Sequence, residues 1–312
     1  MTDRPYISIV IPVYNEEENL RTLFARLHSV MKGIGSPFEI LFTDDGSRDR
    51  SLAILKELAA EHPEVKVIEF NGNFGQHMAI LAAFEKCSGD IVVTLDADLQ
   101  NPPEEIPKLV AEMEKGHDVV GSVRRKRRDT LFRKTASRLV NFVTRKMTGM
   151  EMSDYGCMLR AYNRDVVDNI NRCREMTTFI PALAQTFAAN PGEVEVAHAE
   201  RSEGESKYSL YRLIRLNFDL MTGFSVVPLQ IFALFGIVTS ILSLAFALFL
   251  FIRRFIVGAE VEGVFTLFAI LFFFVGIIIF GIGIVGEYVG RIYQEVRKRP
   301  RYVIRKSHGF HE

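Results

Sequence analysis

Two stretches near the carboxyl end of this chain, Val226 to Ile252 and Val264 to Val285, contain no charged residue. As α-helices rising 1.5 Å per residue they span about 40 and about 33 Å, enough to cross a hydrocarbon core of ~30 Å. A helix apolar on every face needs lipid or a much larger protein around it, and 312 residues are too few for the second. Both stretches therefore read as transmembrane helices, which puts the two termini on one side of the membrane. Arg291, Arg297, Lys298, Arg299, Arg301, Arg305 and Lys306 follow the second stretch, and Arg201, Lys207, Arg212 and Arg215 precede the first. The side richer in Lys and Arg is the cytoplasmic one. Arg253 and Arg254 lie on the other side but are outnumbered, and Glu260 and Glu262 share their loop. The first 15 residues hold a strand and Pro12 where a secretory leader would hold a basic region and an apolar core, so no leader is expected.

Ahead of the apolar stretches, residues 1–207 have the pattern of a globular α/β domain. Strands are expected at Tyr6–Val13, Phe38–Phe42, Val65–Phe70, Ile91–Leu95 and Asp118–Val123. Helices are expected at about Glu17–Lys32, with Leu20, Leu23, Phe24, Leu27 and Val30 on one face, then up to His62, at Gly75–Lys86, from about Pro103, and at about Leu131–Thr148. A helix at Thr177–Ala189 and a strand at Glu193–His198 follow. Strands alternating with helices argue a Rossmann-like, mostly parallel sheet. Residues 208–225 mix Leu210, Leu213, Ile214 and Leu216 with Arg212 and Arg215, the pattern of an amphipathic helix lying in a membrane interface. Residues 226–286 hold the two crossings, and 287–312 form a basic cytoplasmic tail.

The expected strands end in acid. Asp96-Ala97-Asp98-Leu99-Gln100 follows the fourth, Asp44-Asp45-Gly46-Ser47 the second, and Tyr14-Asn15-Glu16-Glu17 the first. In an open α/β sheet, ligands bind at the carboxyl ends of the strands. Two carboxylates one residue apart, followed by a carboxamide, are hard oxygen donors of the kind Mg²⁺ or Mn²⁺ takes while it also holds substrate phosphates. A nucleoside diphosphate uses all three ends: Asp44 or Asp45 accepts from the base, Glu16 from base or ribose, and Asp96, Asp98 and Gln100 hold the ion. The turn Gly72-Asn73-Phe74-Gly75-Gln76-His77 lacks the Gly-x-Gly-x-x-Gly spacing, and Gly-x-x-x-x-Gly-Lys-Ser/Thr occurs nowhere, so dinucleotide and phosphate-loop readings get no support. Lys+Arg and Asp+Glu are equal at 38 each, so the charge balance suggests no nucleic-acid partner. Cys87, Cys157 and Cys173 are widely spaced, as three free thiols in a reducing compartment would be, and the seven His lack metal-ligand spacing.

In order and spacing, Ile-Pro-Val-Tyr-Asn-Glu, Asp-Asp-Gly-Ser and Asp-Ala-Asp-Leu-Gln-Asn-Pro-Pro-Glu resemble the family 2 glycosyltransferases of the GT-A fold. The two apolar helices narrow this to enzymes that glycosylate a polyprenyl phosphate. Gly75-Gln76-His77, Asp154 to Tyr162, and Gly204-Glu205-Ser206-Lys207-Tyr208-Ser209 resemble the bacterial members that transfer 4-deoxy-4-formamido-L-arabinose to undecaprenyl phosphate. The resemblance covers nearly the whole chain. It implies a metal-dependent, inverting transferase at the bacterial inner membrane that uses a UDP-sugar for lipid A modification, and a plausible homotetramer. Pro12, Tyr14, Asn15, Glu16, Asp44, Asp45, Gln76, Asp96 and Ala97 would bind the nucleotide sugar, with Arg201 and Lys207 near the leaving diphosphate. Arg124, Arg133 and Ser137 would hold the acceptor phosphate, consistent with Arg133 and Ser137 lying four apart on one helix face. Asp96, Asp98 and Asp154 would be catalytic, Asp154 as a base or as an orienting group.

Three other readings compete. A polyprenyl-phosphate transferase for glucose, mannose or an N-acetylhexosamine would share the metal and nucleotide motifs. A processive polysaccharide synthase would carry a Gln-x-x-Arg-Trp motif, and this chain has no Trp. A non-catalytic membrane scaffold or lipid-binding protein would be expected to have lost its acidic strand ends, and all are filled here.

Overall fold

The computed structural model describes residues 5–124, 157–173, 179–197, 226–257, 264–297 and 299–310. These fall into two units. Residues 226–257 and 264–297 form one, and the remainder, including 299–310, form the other. The chain thus leaves the first unit and returns to it after the apolar helices. The expected helices at 131–148 and 208–225, and the polar stretch 199–207, lie outside the described residues.

The first unit is built on an eight-stranded sheet: β1 (Ile7–Val13), β2 (Phe38–Asp44), β3 (Val65–Phe70), β4 (Ile91–Thr94), β5 (Val119–Arg124), β6 (Arg160–Asn163), β7 (Pro191–Val196) and β8 (Ile304–His308). Their order across the sheet is β7-β5-β6-β4-β1-β2-β3-β8. β1 pairs in parallel with β2 and β4, and β2 with β3. β6 runs antiparallel between β4 and β5, and β8 antiparallel along β3. The carboxyl ends of β1 to β4 therefore share one edge, as the alternating pattern predicts.

The helices are α1 (Leu20–Ile34), α2 (Ser51–Glu61), α3 (Gln76–Lys86), α4 (Ile106–Met113, entered through a 3₁₀ turn at Pro103–Glu105), α5 (Arg164–Arg172) and α6 (Ile180–Phe187). Leu20, Leu23, Phe24, Leu27 and Met31 are the buried stripe of α1. Met31 takes the place expected for Val30, because a stripe of period 3.6 reaches 31 after 20, 23–24 and 27. Against them pack Ile7, Ile9, Ile11 and Val13 of β1, all but fully buried. Each such residue contributes about 1.5–3 kcal/mol of hydrophobic stabilisation. The central strand is thereby fixed, and the loop after it takes its position from a rigid base.

Three elements are absent from the pattern reading. β6 and α5 lie between the expected fifth strand and the helix at 180, and β8 arises from the basic tail. β8 is pinned at both ends. Tyr302 stacks on Phe70 at 5.1 Å between ring centroids, and Lys66 and Lys86 lie 5.3 and 5.4 Å from the Phe310 ring. Arg301 also donates to the Cys173 carbonyl.

The second unit consists of α7 (Val227–Val257) and α8 (Val264–Val296), both longer than their apolar stretches. Glu287 and Arg291, one turn apart at 2.9 Å, help carry α8 beyond the apolar run. Phe232 packs edge-on to Phe280, and Gly281 makes room for it, since a Cβ there would collide with the Phe232 ring. Hardly any of the apolar surface is covered: Leu244, Phe255 and Ile256 are each more than 70% exposed. Core helices of a soluble protein would bury these faces. Both helices are long and apolar enough to cross a membrane.

Candidate active site

The loop after β2 is held from several directions. Asn15 donates its amide to the Ser47 hydroxyl (3.1 Å) and accepts from the Arg48 amide (2.8 Å). The Glu16 amide reaches the Ser51 hydroxyl, the Glu17 amide reaches Asp49, and the Glu17 carboxylate takes the Arg50 amide. Asp49 accepts the Ser51 amide at 2.9 Å, at the first residue of α2, whose N-cap position is Arg50. Glu16 gives one oxygen to Asn19 at 2.7 Å. The polar side chains after β1 and the start of α2 thus hold each other.

Sequence alone left Asp44 and Asp45 equivalent; the structure separates them. Both carboxylate oxygens of Asp45 accept backbone N–H groups, from Phe74 at 2.6 Å and Gly75 at 2.9 Å. Asp45 therefore fastens the β3–α3 loop. Asp44 accepts the Ser47 amide with Oδ2, at 3.3 Å, while its Oδ1 is buried without a hydrogen-bond partner. Burial raises the carboxyl pKa of both. Asp44 lies beside Glu69 in the sheet register, and the Glu69 charge adds to its rise. Gly46, at φ +72°, brings this loop against the next one: a Cβ would sit 2.6 Å from the Gly72 carbonyl carbon. Between the loops opens a cavity of about 320 Å³ lined by Tyr14, Asp44, Ser47, Glu69, Asn73 and Arg305, among others. Tyr14 is exposed at its mouth.

The loop after β4 carries the other group. Asp96 accepts from the Gln76 carboxamide at 2.6 Å, and Asn101 approaches its second oxygen at 3.5 Å. Gln76, the first residue of α3, thus aims at the acidic loop. Asn101 is buried and holds Asp96 and the Cys157 thiol rather than capping the following turn, where Pro102 takes the cap position. Asp98 gives one oxygen to the Gln100 amide at 3.1 Å. Leu99 between them has φ +60°, a left-handed conformation that a leucine rarely adopts. Such a conformation costs of order 1–3 kcal/mol and persists where the surroundings enforce it. Ala97 is buried beneath the loop, and Pro12 lies in β1. Burial lowers the His77 imidazole to about 4, so the ring beside Gln76 is neutral.

Asp96, Asp98 and the Gln100 carboxamide are hard oxygen donors on one short loop, so their chemistry fits a divalent cation of the Mg²⁺ or Mn²⁺ type. Arg133, Ser137, Asp154, Arg201 and Lys207, and the side chain of Arg124, lie outside the described residues. Glu69, Asn73 and Arg305 at the cavity escaped the sequence reading: none belongs to a motif, and Arg305 sits in a stretch whose only visible property is positive charge. Spacing also hid a His28, His62 and Glu64 group, whose ligand atoms the fold brings within 4.8 Å of one another. His28 Nε2 there lies 2.8 Å from a Glu64 carboxylate oxygen.

Residues 8–170 match the model of "Glycosyl transferase family 2". The undecaprenyl-phosphate 4-deoxy-4-formamido-L-arabinose transferase of Pectobacterium atrosepticum is 53% identical over 305 residues, covering 96% of this chain and 93% of the relative. The protein of the same name from Klebsiella pneumoniae is 50% identical over 303 residues, with the same coverage. A glucosyl-3-phosphoglycerate synthase from Mycobacterium tuberculosis, solved with Mn²⁺, UDP-glucose and phosphoglyceric acid, superposes with a TM-score of 0.51 at 19% identity, over 70% of this chain and 78% of that one. That likeness speaks to the GT-A fold alone.

Proposed function

We propose, from the premise that this chain belongs to glycosyl transferase family 2, that it transfers 4-deoxy-4-formamido-L-arabinose from a UDP-linked donor to undecaprenyl phosphate. Identity of about half, sustained over nearly the whole of each chain with the apolar helices included, supports these substrates. The observation that carries the chemistry is the single sheet edge onto which Asp44, Asp96, Asp98 and Gln100 are delivered.

Asp44 accepts an N–H of the base, and Asp98 and Gln100, with Asp96 beside them, hold a divalent cation. When bound, that ion offsets the charge of the leaving diphosphate. Gln76 and Asn101 fix Asp96 in place. The acceptor phosphate oxygen attacks the anomeric carbon from the face opposite the diphosphate. A new C–O bond forms, the bond to the diphosphate breaks, its electron pair leaves with UDP, and the configuration inverts. A phosphate monoester has a second pKa of ~6, so the attacking oxygen is already ionised at neutral pH and needs no base. Asp154 orients the sugar. Arg124, Arg133 and Ser137 grip the acceptor phosphate, and Arg201 and Lys207 neutralise the departing diphosphate. The helices anchor the chain in the bacterial inner membrane with the catalytic unit and both termini cytoplasmic, where the lipid phosphate lies at headgroup height; four copies assemble through them.

Asp98→Ala tests the site. It lowers transfer by at least about 100-fold, since losing a direct ligand costs no less than the 10–100-fold seen when only the groups supporting a ligand are lost, and excess Mn²⁺ recovers part of the loss. Full transfer by this variant, or indifference to EDTA, overturns the metal assignment.

A further inference from the structure

We propose that Arg305, on the strand that follows the second membrane helix, is a base-reading residue of the donor site; this rests on the reading of the cavity as a uridine pocket. The cavity beside Asp44 has one wall from β8, and Arg305 is the residue β8 contributes to it. The wall is preorganised. Tyr302 stacked on Phe70 and the Val303 carbonyl accepting from the Asn71 amide at 3.1 Å fix the backbone just before Arg305.

Neutralising Glu69 does not account for this arginine. Glu69 already has Lys56 at 2.8 Å, and burial, which alone would raise its pKa, is outweighed first by Lys56, with His308 and the Arg305 charge, each at 3.5 Å, adding less. Arg305 stands 3.5 Å from the other Glu69 oxygen with its side chain 71% exposed. That contact is too long for a good hydrogen bond, and a guanidinium has five N–H donors. Most of them remain for a ligand.

The chemistry matches one end of the donor. Uracil presents an N–H flanked by two carbonyl oxygens. Asp44, with a buried carboxylate oxygen that has no partner, accepts the N–H, and Arg305 donates to a neighbouring carbonyl. The sheet order separates the two ends. β2, β3 and β8 frame the cavity, while Asp96 and Asp98 follow β4, two to four strand spacings or roughly 10–19 Å away. A nucleoside diphosphate laid along this edge puts its base at Arg305 and its phosphates at the acidic loop.

The test is calorimetric binding of UDP and of inorganic pyrophosphate, each with Mn²⁺, to the full-length protein in detergent, comparing Arg305→Gln, Arg305→Lys, Asp44→Asn and Lys306→Ala. Lys306 is the next residue of the strand and is not among those lining the cavity. The inference predicts that Arg305→Gln weakens UDP about tenfold with pyrophosphate unchanged, that Arg305→Lys restores part of the loss, and that Lys306→Ala binds both as the parent does. Unchanged UDP binding in Arg305→Gln beside a loss in Asp44→Asn removes Arg305 but keeps the uridine pocket. Unchanged binding in both removes the pocket reading as well. Equal losses in Arg305→Gln and Lys306→Ala, or a matching loss for pyrophosphate, would mean that the strand or the general charge matters rather than the guanidinium, and overturn the proposal.

Discussion

Asp44 and Asp45 are adjacent and chemically identical, yet their surroundings give them opposite tasks. In Asp45→Asn, an amide NH₂ must face a backbone N–H, because both original oxygens accept from Phe74 and Gly75. The cost is about 1–3 kcal/mol, read as a lower melting temperature in detergent. Asp44→Asn should behave differently, because the Asp44 Oδ1 has no donor to lose, although burial raises the pKa of both residues. Its folded pKa is raised, so its stabilising contribution is complete below the unfolded value of ~3.9 and is lost as pH rises through the folded one. At neutral pH its ionised form is a net cost. The variant should therefore melt no lower than the parent at pH 7.5, while losing UDP affinity. Gly46→Ala tests the close approach of the two loops: at φ +72° and with no room for a Cβ, it costs roughly 1–3 kcal/mol and weakens UDP binding. Composition marked the acidic motif as a site. Which of its members holds the neighbouring loop depended on the Phe74–Gly75 turn, thirty residues on, which no local pattern reveals.

The elements with strong periodicity were legible. β1 to β5 and α1 to α3 fall within a few residues of expectation, because apolar runs of period 2 and 3.6 record what each element buries. β6 (Arg-Ala-Tyr-Asn) and β8 (Ile-Arg-Lys-Ser-His) lack that signal. The first is four residues long, and the second is an edge strand whose partner, not its own pattern, makes it a strand. At the amino-terminal edge of the sheet, opposite the site, buried Glu39 ties elements together: Oε1 accepts from the Ser8 hydroxyl and the Ser88 amide, both at 2.6 Å, and Oε2 from Lys66 at 2.6 Å. Burial alone would raise its pKa, but these donors together hold it below the usual carboxylate range. A depressed folded pKa means stability that is present above the unfolded value of ~4.3 and is lost as pH falls through the folded one. Glu39→Gln should cost about 3 kcal/mol at pH 7, and the gap to the parent should narrow in melting curves taken below pH 4.5. A constant gap across that range would contradict the assignment.

For the whole molecule, the chain's return to the first unit after the apolar helices matters most. Residues 299–310 cover the β3 edge and bring Arg305 to the cavity, so the segment beyond the apolar helices belongs to the catalytic unit. Ending the chain at Lys298 should expose the β3 edge, lower the melting temperature of the catalytic unit and abolish UDP binding, while leaving membrane association of the helices intact in a flotation assay. The two long apolar helices were legible from absence of charge alone. The tail's place in the sheet was not, because pairing across more than two hundred residues leaves no local trace. The account as a whole stands on the reaction, and the direct measurement is transfer by the purified full-length protein. Undecaprenyl phosphate and Mn²⁺ would be supplied with UDP-linked 4-deoxy-4-formamido-L-arabinose, UDP-glucose and UDP-N-acetylglucosamine in competition, with and without EDTA. The account predicts the formamido-arabinosyl lipid as the sole product and its loss in EDTA; a different glycosyl lipid, or transfer that EDTA leaves untouched, would contradict it.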